Sequence, residues 1–158
     1  RYLYPLEAVG AGDSTLAKAY ERDALTMIPT KSKLMPHARE VLEYLSRKYN
    51  LYILSNGFKE LQSHKMRSSG IDEYFKKVVL SDDIGILKPW PEIFHFALST
   101  TQSELNNSLM IGDSWENDIV GAAGVGMHQV FYNLSGRIDL PFAPTYQITD
   151  LKDLFNFL

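Results

Sequence analysis

The sequence contains no cysteine, which excludes a disulfide framework, a thiolate nucleophile and a cysteine-based zinc site. It also lacks an apolar segment long enough to span a bilayer. Its 16 basic and 19 acidic residues give a net charge of -3 without long runs of either sign, which argues against a nucleic-acid or anionic-membrane surface. Together these absences favour a cytoplasmic protein whose partners are small soluble molecules.

What the 158 residues do contain is enough apolar material for one globular domain, since 45% are hydrophobic and 22% are charged. Short apolar runs alternate with helical segments, which predicts an α/β fold with a parallel sheet and helices on both faces. The predicted strands are 51–55, 77–80, 108–112, 128–132 and 146–148. The predicted helices of the same region are 37–49, 58–69, 91–100, 115–124 and 150–157.

The first 29 residues follow a different pattern and contain no predicted strand. The run LAKAYERDALTMI is typical of a helix, with Asp13 or Ser14 as its N-cap and Pro29 closing the segment. We therefore expect a separate helical element before the alternating region.

The run GDSWENDIVGA at 112–122 is the most informative part of the chain. The apolar residues before it predict a buried strand, so Asp113 comes at the carboxyl end of that strand, where parallel sheets bind ligands. Ser114 is a natural N-cap for the following helix, and Asp118 in its first turns can return to the same crevice. Two carboxylates there suit Mg²⁺, although the same residues could also serve only as caps.

Two further segments place polar groups after strands or on stiff loops. Ser55, Asn56 and Gly57 follow the strand 51–55, and the hydroxyl with successive backbone N–H groups predicts a small anion site suited to phosphate. Lys88 in GILKPWPEIF is followed by Pro89 and Pro91, which stiffen its loop and start the next helix. Each segment alone could equally be an ordinary turn or a solvated lysine.

Taken in order, these segments resemble the motifs of the haloacid dehalogenase-like (HAD) hydrolases. LSNG is similar to the second motif of that family, LKPWPEIF to the third and GDSWENDIVGAAGVGM to the fourth, and the match runs from about Leu34 to Phe131. The resemblance implies that Ser55 binds the transferring phosphoryl group, that Lys88 offsets its charge and that Asp113 ligates Mg²⁺. It further implies that Asp118 helps to hold either Lys88 or metal-bound water.

The resemblance also implies a domain organisation and a reaction. Residues 1–30 resemble the C-terminal part of a helical cap, and residues 31–158 a Rossmann-like core. Members that cleave carbon–halogen bonds lack the metal-binding aspartate, so the fourth motif is similar to that of the Mg²⁺-dependent phosphatases. MIPTKSKLMPHAREVLEYL is similar to the 5'-nucleotidase-like branch, which implies a small phosphomonoester substrate, a nucleoside monophosphate being one such ester.

The nucleophile motif of this family, Asp-x-Asp-x-Thr/Val after an apolar strand, does not occur in the sequence. Asp13, Asp82 and Asp83 lack the required strand or spacing. In the family the strand before that motif lies between those that end at Ser55 and Asp113, and burial of about five apolar residues there would contribute roughly 10 kcal/mol. We therefore expect that the chain belongs to a longer polypeptide or that another segment supplies the strand, and that the chain alone is inactive.

Two other readings are compatible with parts of the pattern. The chain could be a regulatory remnant of the fold that holds a phosphorylated ligand at Ser55 and Lys88 without cleaving it. A receiver-like signalling domain uses similar residues, but its phospho-accepting aspartate precedes the hydroxyl and the lysine, whereas here Asp113 follows both. Trp90 and Trp115 flank the predicted site and could either stack on a substrate base or pack against the cap, and packing is the favoured reading.

Overall fold

The computed structural model describes residues 8, 10, 13–27 and 32–158, in which helices and parallel strands alternate. The strands are β1 (Leu51–Ser55), β2 (Phe75–Leu80), β3 (Leu109–Gly112), β4 (His128–Tyr132) and β5 (Tyr146–Ile148). The α-helices are α1 (Ser14–Met27), α2 (Ala38–Leu45), α3 (Lys59–Ser69), α4 (Pro91–Thr101) and the short α5 (Gly121–Gly124). A π-helical segment, Trp115–Val120, leads into α5, and the 3₁₀ segments are Asp72–Tyr74, Ser81–Asp83, Leu105–Asn107 and Leu151–Asn156.

All strand pairs in the described residues are parallel, which confirms the predicted α/β fold class. One sheet has the order β1-β2, with Ser55 opposite Leu80, and the other has the order β3-β4-β5, with Gly112 opposite Phe131. Parallel strands joined by helices bring their carboxyl ends to one edge, so each sheet presents its strand ends as a ligand-binding edge.

The strands β1 and β3 each pair on one side only within the part of the chain that the structure describes. Both are half-buried along their whole length, whereas the last four residues of β4 are buried. This contrast is what edge strands show, because an unpaired edge leaves backbone and flanking side chains within reach of water. That a further strand lies between β1 and β3 stays a prediction.

The side chains of β3 alternate between two apolar clusters. Leu109 and Ile111 pack against the cluster that includes Val41 of α2 and Val130 of β4. Met110, on the opposite face, packs against the cluster formed by α4 and α5, where Ile93 and Phe94 are fully buried. Both faces of this sheet are therefore covered, which explains why the strands are apolar without alternation.

The chain divides into two compact units. One contains the described residues up to Lys33 together with Lys59–Asp72, and the other contains Leu34–Phe58 and Glu73–Leu158. The first unit holds α1, whose N-cap is Asp13 because its carboxylate accepts a hydrogen bond from Thr15 N–H at 2.7 Å. Pro29, predicted to close that segment, lies outside the described residues. The boundary between a cap at 1–30 and a core at 31–158 stays a prediction.

Three predicted helices differ from those observed. The helix predicted at 37–49 ends at Leu45, where the backbone tightens into i to i+3 turns such as Lys48 N–H to the Leu45 carbonyl. The C-terminal helix predicted at 150–157 is a 3₁₀ segment capped by Asp150. The helix predicted at 115–124 is π-helical as far as Val120, a difference that shapes the site. Among the described residues, no helix is long and apolar enough to cross a membrane.

Candidate active site

The loop after β1 carries the first group of predicted site residues. Ser55, Asn56 and Gly57 are half-buried at the carboxyl end of the strand. The Gly57 N–H donates a hydrogen bond to Ser55 Oγ at 3.0 Å, so the hydroxyl and the turn are held together locally. A serine hydroxyl next to backbone N–H groups at a strand end is a suitable set of donors for a phosphoryl group.

Lys88 reaches the end of β1 from the loop before α4. Its ammonium group donates to the Leu54 carbonyl at 2.8 Å and to Asp118 Oδ1 at 2.6 Å, and its side chain is only 10% exposed. The Lys88–Pro89 peptide bond is cis. Because Leu54 directly precedes Ser55, the one positive charge of this side chain lies at the same strand end as the predicted phosphate loop.

Asp118 connects Lys88 to the end of β3. Its second oxygen, Oδ2, accepts a hydrogen bond from Ser114 N–H at 3.1 Å, and its side chain is 7% exposed. The π-helical backbone explains this contact, because Ile119 N–H bonds to the Ser114 carbonyl five residues back and the widened turn aims Asp118 at the strand end. Gly112 leaves room for it, since a Cβ there would overlap the Asp118 carboxylate.

The loop that carries Lys88 is fixed from two further directions. Asn56 makes two hydrogen bonds to the Lys88 backbone: Lys88 N–H donates to Asn56 Oδ1 at 2.7 Å, and Asn56 Nδ2 donates to the Lys88 carbonyl at 3.0 Å. On the other side, a Cβ at Gly121 would lie 3.0 Å from Pro89 Cα and 2.6 Å from the Phe94 ring. Glycine at 121 therefore allows the helix after Asp118 to pack closely on the Lys88 loop.

Asp113 is exposed directly after β3, and its carboxylate is the candidate metal ligand. Within the described ranges, no group of three or more histidines, aspartates or glutamates could hold a metal ion by itself. Mg²⁺ in phosphoryl-transfer sites usually binds one or two carboxylates and takes its other ligands from phosphate and water. Asp113 fits such a site, whereas both oxygens of Asp118 already accept hydrogen bonds. A direct role of Asp118 in metal binding stays a prediction.

The two tryptophans that flank the site have different environments. Trp115 is 3% exposed and packs edge-on against Phe131 of β4 at 5.2 Å between ring centroids, whereas packing of either tryptophan against a cap stays a prediction. Trp90 is 64% exposed and lines a pocket of about 320 Å³ together with Leu87 and Glu92.

The ion pair between Arg137, after β4, and Glu116, after β3, was not predicted from the sequence. Arg137 donates to Glu116 Oε1 at 2.8 Å and lies over the Trp115 ring at 5.5 Å. The Arg137 hydrogen bond lowers the pKa of Glu116 below its ordinary value, although the Glu116 side chain is 70% exposed. Nothing in the local pattern of either residue signals the other, because 21 positions separate them.

These observations place the predicted site residues at the carboxyl ends of β1 and β3. Lys88 contacts Leu54 and Asp118, and Asp118 contacts Ser114, which directly follows Asp113. The chain matches the family model of the haloacid dehalogenase-like hydrolases over residues 4–126. The chain belongs to this family. The HAD-like fold accounts for the parallel strands and for the three motif segments meeting at the strand ends.

Similar HAD proteins extend beyond the span of this chain. It is 31% identical to the YfnB protein of Bacillus subtilis (strain 168) over 157 residues, covering 98% of this chain and 64% of YfnB. It is 31% identical to the pyrimidine 5'-nucleotidase YjjG of Escherichia coli (strain K12) over 127 residues, 78% of this chain and 56% of YjjG. The chain therefore spans less than two thirds of the length of these relatives.

Solved structures of the family show the same fold. The crystal structure of YfnB bound to magnesium gives a TM-score of 0.87 at 27% identity, with 98% of this chain and 67% of that chain covered. The structure of a 2-haloacid dehalogenase from Pseudomonas syringae pv. Tomato DC3000 gives 0.74 at 27% identity, with 93% and 64% covered. The similar proteins thus include one named as a 5'-nucleotidase and one named as a 2-haloacid dehalogenase.

Proposed function

We propose that this chain forms most of the catalytic core of a Mg²⁺-dependent phosphatase that hydrolyses a small phosphomonoester. The single observation that best supports the proposal is the Lys88 ammonium group held between the Leu54 carbonyl and Asp118 at the end of β1. A fixed cation at that edge is suited to the negative charge of a transferring phosphoryl group, since such reactions depend on positioning and on cations near the phosphoryl oxygens.

In this proposal each predicted residue has a separate task. Ser55 Oγ and the backbone N–H groups of Asn56 and Gly57 bind the phosphoryl oxygens, and Lys88 offsets their charge. Asp118 holds the Lys88 ammonium group in place through a charge-assisted hydrogen bond. Asp113 holds Mg²⁺ together with ligands from outside the described residues. When bound, the ion would neutralise charge on the phosphoryl oxygens.

We further propose that the attacking aspartate comes from a segment outside this sequence, whose strand lies between β1 and β3. The half-buried edges of these two strands support this arrangement. Residues 1–30 are proposed to be the C-terminal part of a helical cap, with 31–158 as the core. The substrate class we propose includes nucleoside monophosphates, which agrees with the naming of YjjG as a pyrimidine 5'-nucleotidase.

Asp113 is the residue that favours a phosphatase over a dehalogenase, because a carboxylate at this position can serve a metal-dependent reaction. We expect the full-length protein to hydrolyse p-nitrophenyl phosphate with Mg²⁺ and to leave 2-chloropropionate intact. Asp113→Ala should reduce phosphate release by about 100-fold or more, since loss of a charge-stabilising group typically costs that much. The 158 residues alone should show no turnover.

A matched control is Glu73→Ala, which removes an exposed carboxylate just before β2, at the amino end of that strand. This variant should keep wild-type activity. Phosphatase activity that survives Asp113→Ala, or release of chloride instead of phosphate, would contradict the assignment. Binding of inorganic phosphate without any turnover of the full-length protein would instead favour the non-catalytic reading.

A further inference from the structure

The Asn56 side chain is committed to the backbone of a residue 32 positions away. Its Oδ1 accepts the Lys88 N–H and its Nδ2 donates to the Lys88 carbonyl, at 2.7 and 3.0 Å, and both contacts are partly buried. A carboxamide carries one acceptor and a two-proton donor on a planar group, so it can bind both backbone groups of one residue at once.

The ammonium end of the Lys88 side chain is held by β1, the strand that precedes Asn56. Its ammonium group donates to the Leu54 carbonyl, two residues before Asn56, and to Asp118. A lysine side chain has four rotatable bonds, and ordering it costs conformational entropy. Asn56 holds the backbone of Lys88, and Leu54 and Asp118 hold its ammonium group. The position of the charge is therefore defined from both ends of the residue.

We infer that Asn56 is a positioning residue, whose carboxamide sets the place of the Lys88 ammonium group relative to the Ser55–Gly57 loop. The inference rests on the proposed function and assigns the Asn56 side chain a task apart from substrate contact. Lys88 and the phosphate loop come from different segments of the chain. The Asn56 side chain joins these segments directly, so a phosphoryl group bound at the loop meets the cation at a fixed distance.

The expected consequence is a loss in turnover more than in substrate binding. A misplacement of about 1 Å can lower the rate by about 100-fold, because charge stabilisation in the transition state depends on geometry. Asn56→Ala in the full-length protein should therefore lower kcat on p-nitrophenyl phosphate by about 10- to 100-fold and change KM by less than about 3-fold. Asn107→Ala removes an exposed carboxamide bonded to Glu104 and should leave both constants unchanged.

Asn56→Asp is the second variant, because it keeps the shape of the side chain. An ionised aspartate cannot donate to the Lys88 carbonyl, whereas a protonated one can. The kcat of Asn56→Asp relative to wild type should therefore rise as the pH falls from about 6 to about 4, the range in which an aspartyl carboxyl takes up its proton and regains the missing donor. A side chain that only stabilised the fold would give a ratio independent of pH in the folded protein.

A readout without catalysis separates this inference from the proposed function. The Lys88 ammonium protons should give a slowly exchanging NMR signal in the full-length protein, and Asn56→Ala should broaden or remove it while Asn107→Ala preserves it. If the wild-type protein has no phosphatase activity, the proposed function fails, and this signal alone decides the role of Asn56. An unchanged Lys88 signal, or unchanged kcat in a folded Asn56→Ala protein, would overturn the inference.

Discussion

The contact between Lys88 and Asp118 depends on a glycine that carries no chemistry itself. Gly112 is the last residue of β3, and the Asp118 side chain lies against its Cα. Any larger residue would push the carboxylate away from both Lys88 and the Ser114 N–H. The glycine of the fourth motif is thus explained by a close approach in the interior.

We expect Gly112→Ala to destabilise the protein by about 1 to 3 kcal/mol, the usual cost of forcing extra volume into a packed site. The measurement is urea unfolding. Gly124→Ala is the matched control, because a Cβ at Gly124 meets nothing within 4 Å and the residue lies in α5. The control should be neutral or more stable by up to about 1 kcal/mol. Equal stability of wild type and Gly112→Ala would show that the Asp118 side chain relocates without cost.

At the scale of single residues, the sequence indicated which residues carry the chemistry but not which atoms most of them contact. Ser55, Lys88 and Asp113 stood out as residue types at strand ends or on a stiff loop, and the family resemblance added the link between Lys88 and Asp118. The Leu54 carbonyl could not be anticipated, because every residue has one. The pairing of Asn56 with Lys88 has no local signal, since it joins positions 32 apart.

The segment after β3 begins at the predicted N-cap but is π-helical where an ordinary helix was predicted. Ser114 is the N-cap: its hydroxyl accepts hydrogen bonds from Asn117 N–H at 3.2 Å and Asn117 Nδ2 at 2.9 Å. The turn then widens into a π-helix, with Trp115 and Ile119 buried on one side and Asp118 directed towards the strand end. The segment thus begins at the predicted cap and departs from the predicted α-helix within its first turns.

Removing this cap should weaken the element that carries Asp118. Ser114→Ala is expected to lower the free energy of unfolding by about 1 kcal/mol, because two donors of Asn117 lose their acceptor. Ser114→Thr retains the hydroxyl and should lose less than half of that amount. Thermal or urea unfolding of both variants provides the test, and equal losses in the two would mean that the hydroxyl does not act as a cap.

Across the whole molecule, the main feature is the separation of β1-β2 from β3-β4-β5 in the described residues. The interior strand β4 pairs with β3 on one side and β5 on the other, and it is buried over its last four residues. Its backbone is therefore protected from water in a way that the edges of β1 and β3 are not.

Amide hydrogen exchange should report this difference residue by residue. In the 158-residue chain, the amides of β4 from Gln129 to Tyr132 should exchange slowest, because opening them requires disruption of the sheet. In β1 and β3, alternate amides should exchange rapidly, since only one side of each strand is paired. Uniformly slow exchange in both edge strands would show that another segment or a second molecule pairs with them.

The sequence by itself determined the order of strands and helices and most of their limits, including β1, β4 and β5 at the predicted residues and the caps Asp13 and Ser114. These features depend on apolar periodicity and on side chains within a few positions, which a single segment encodes. Only the tertiary structure decided the π-helical turn and the contacts of Lys88 with Leu54, Asn56 and Asp118. Those contacts join segments 30 or more positions apart, and packing of the helices against the strands brings such segments together.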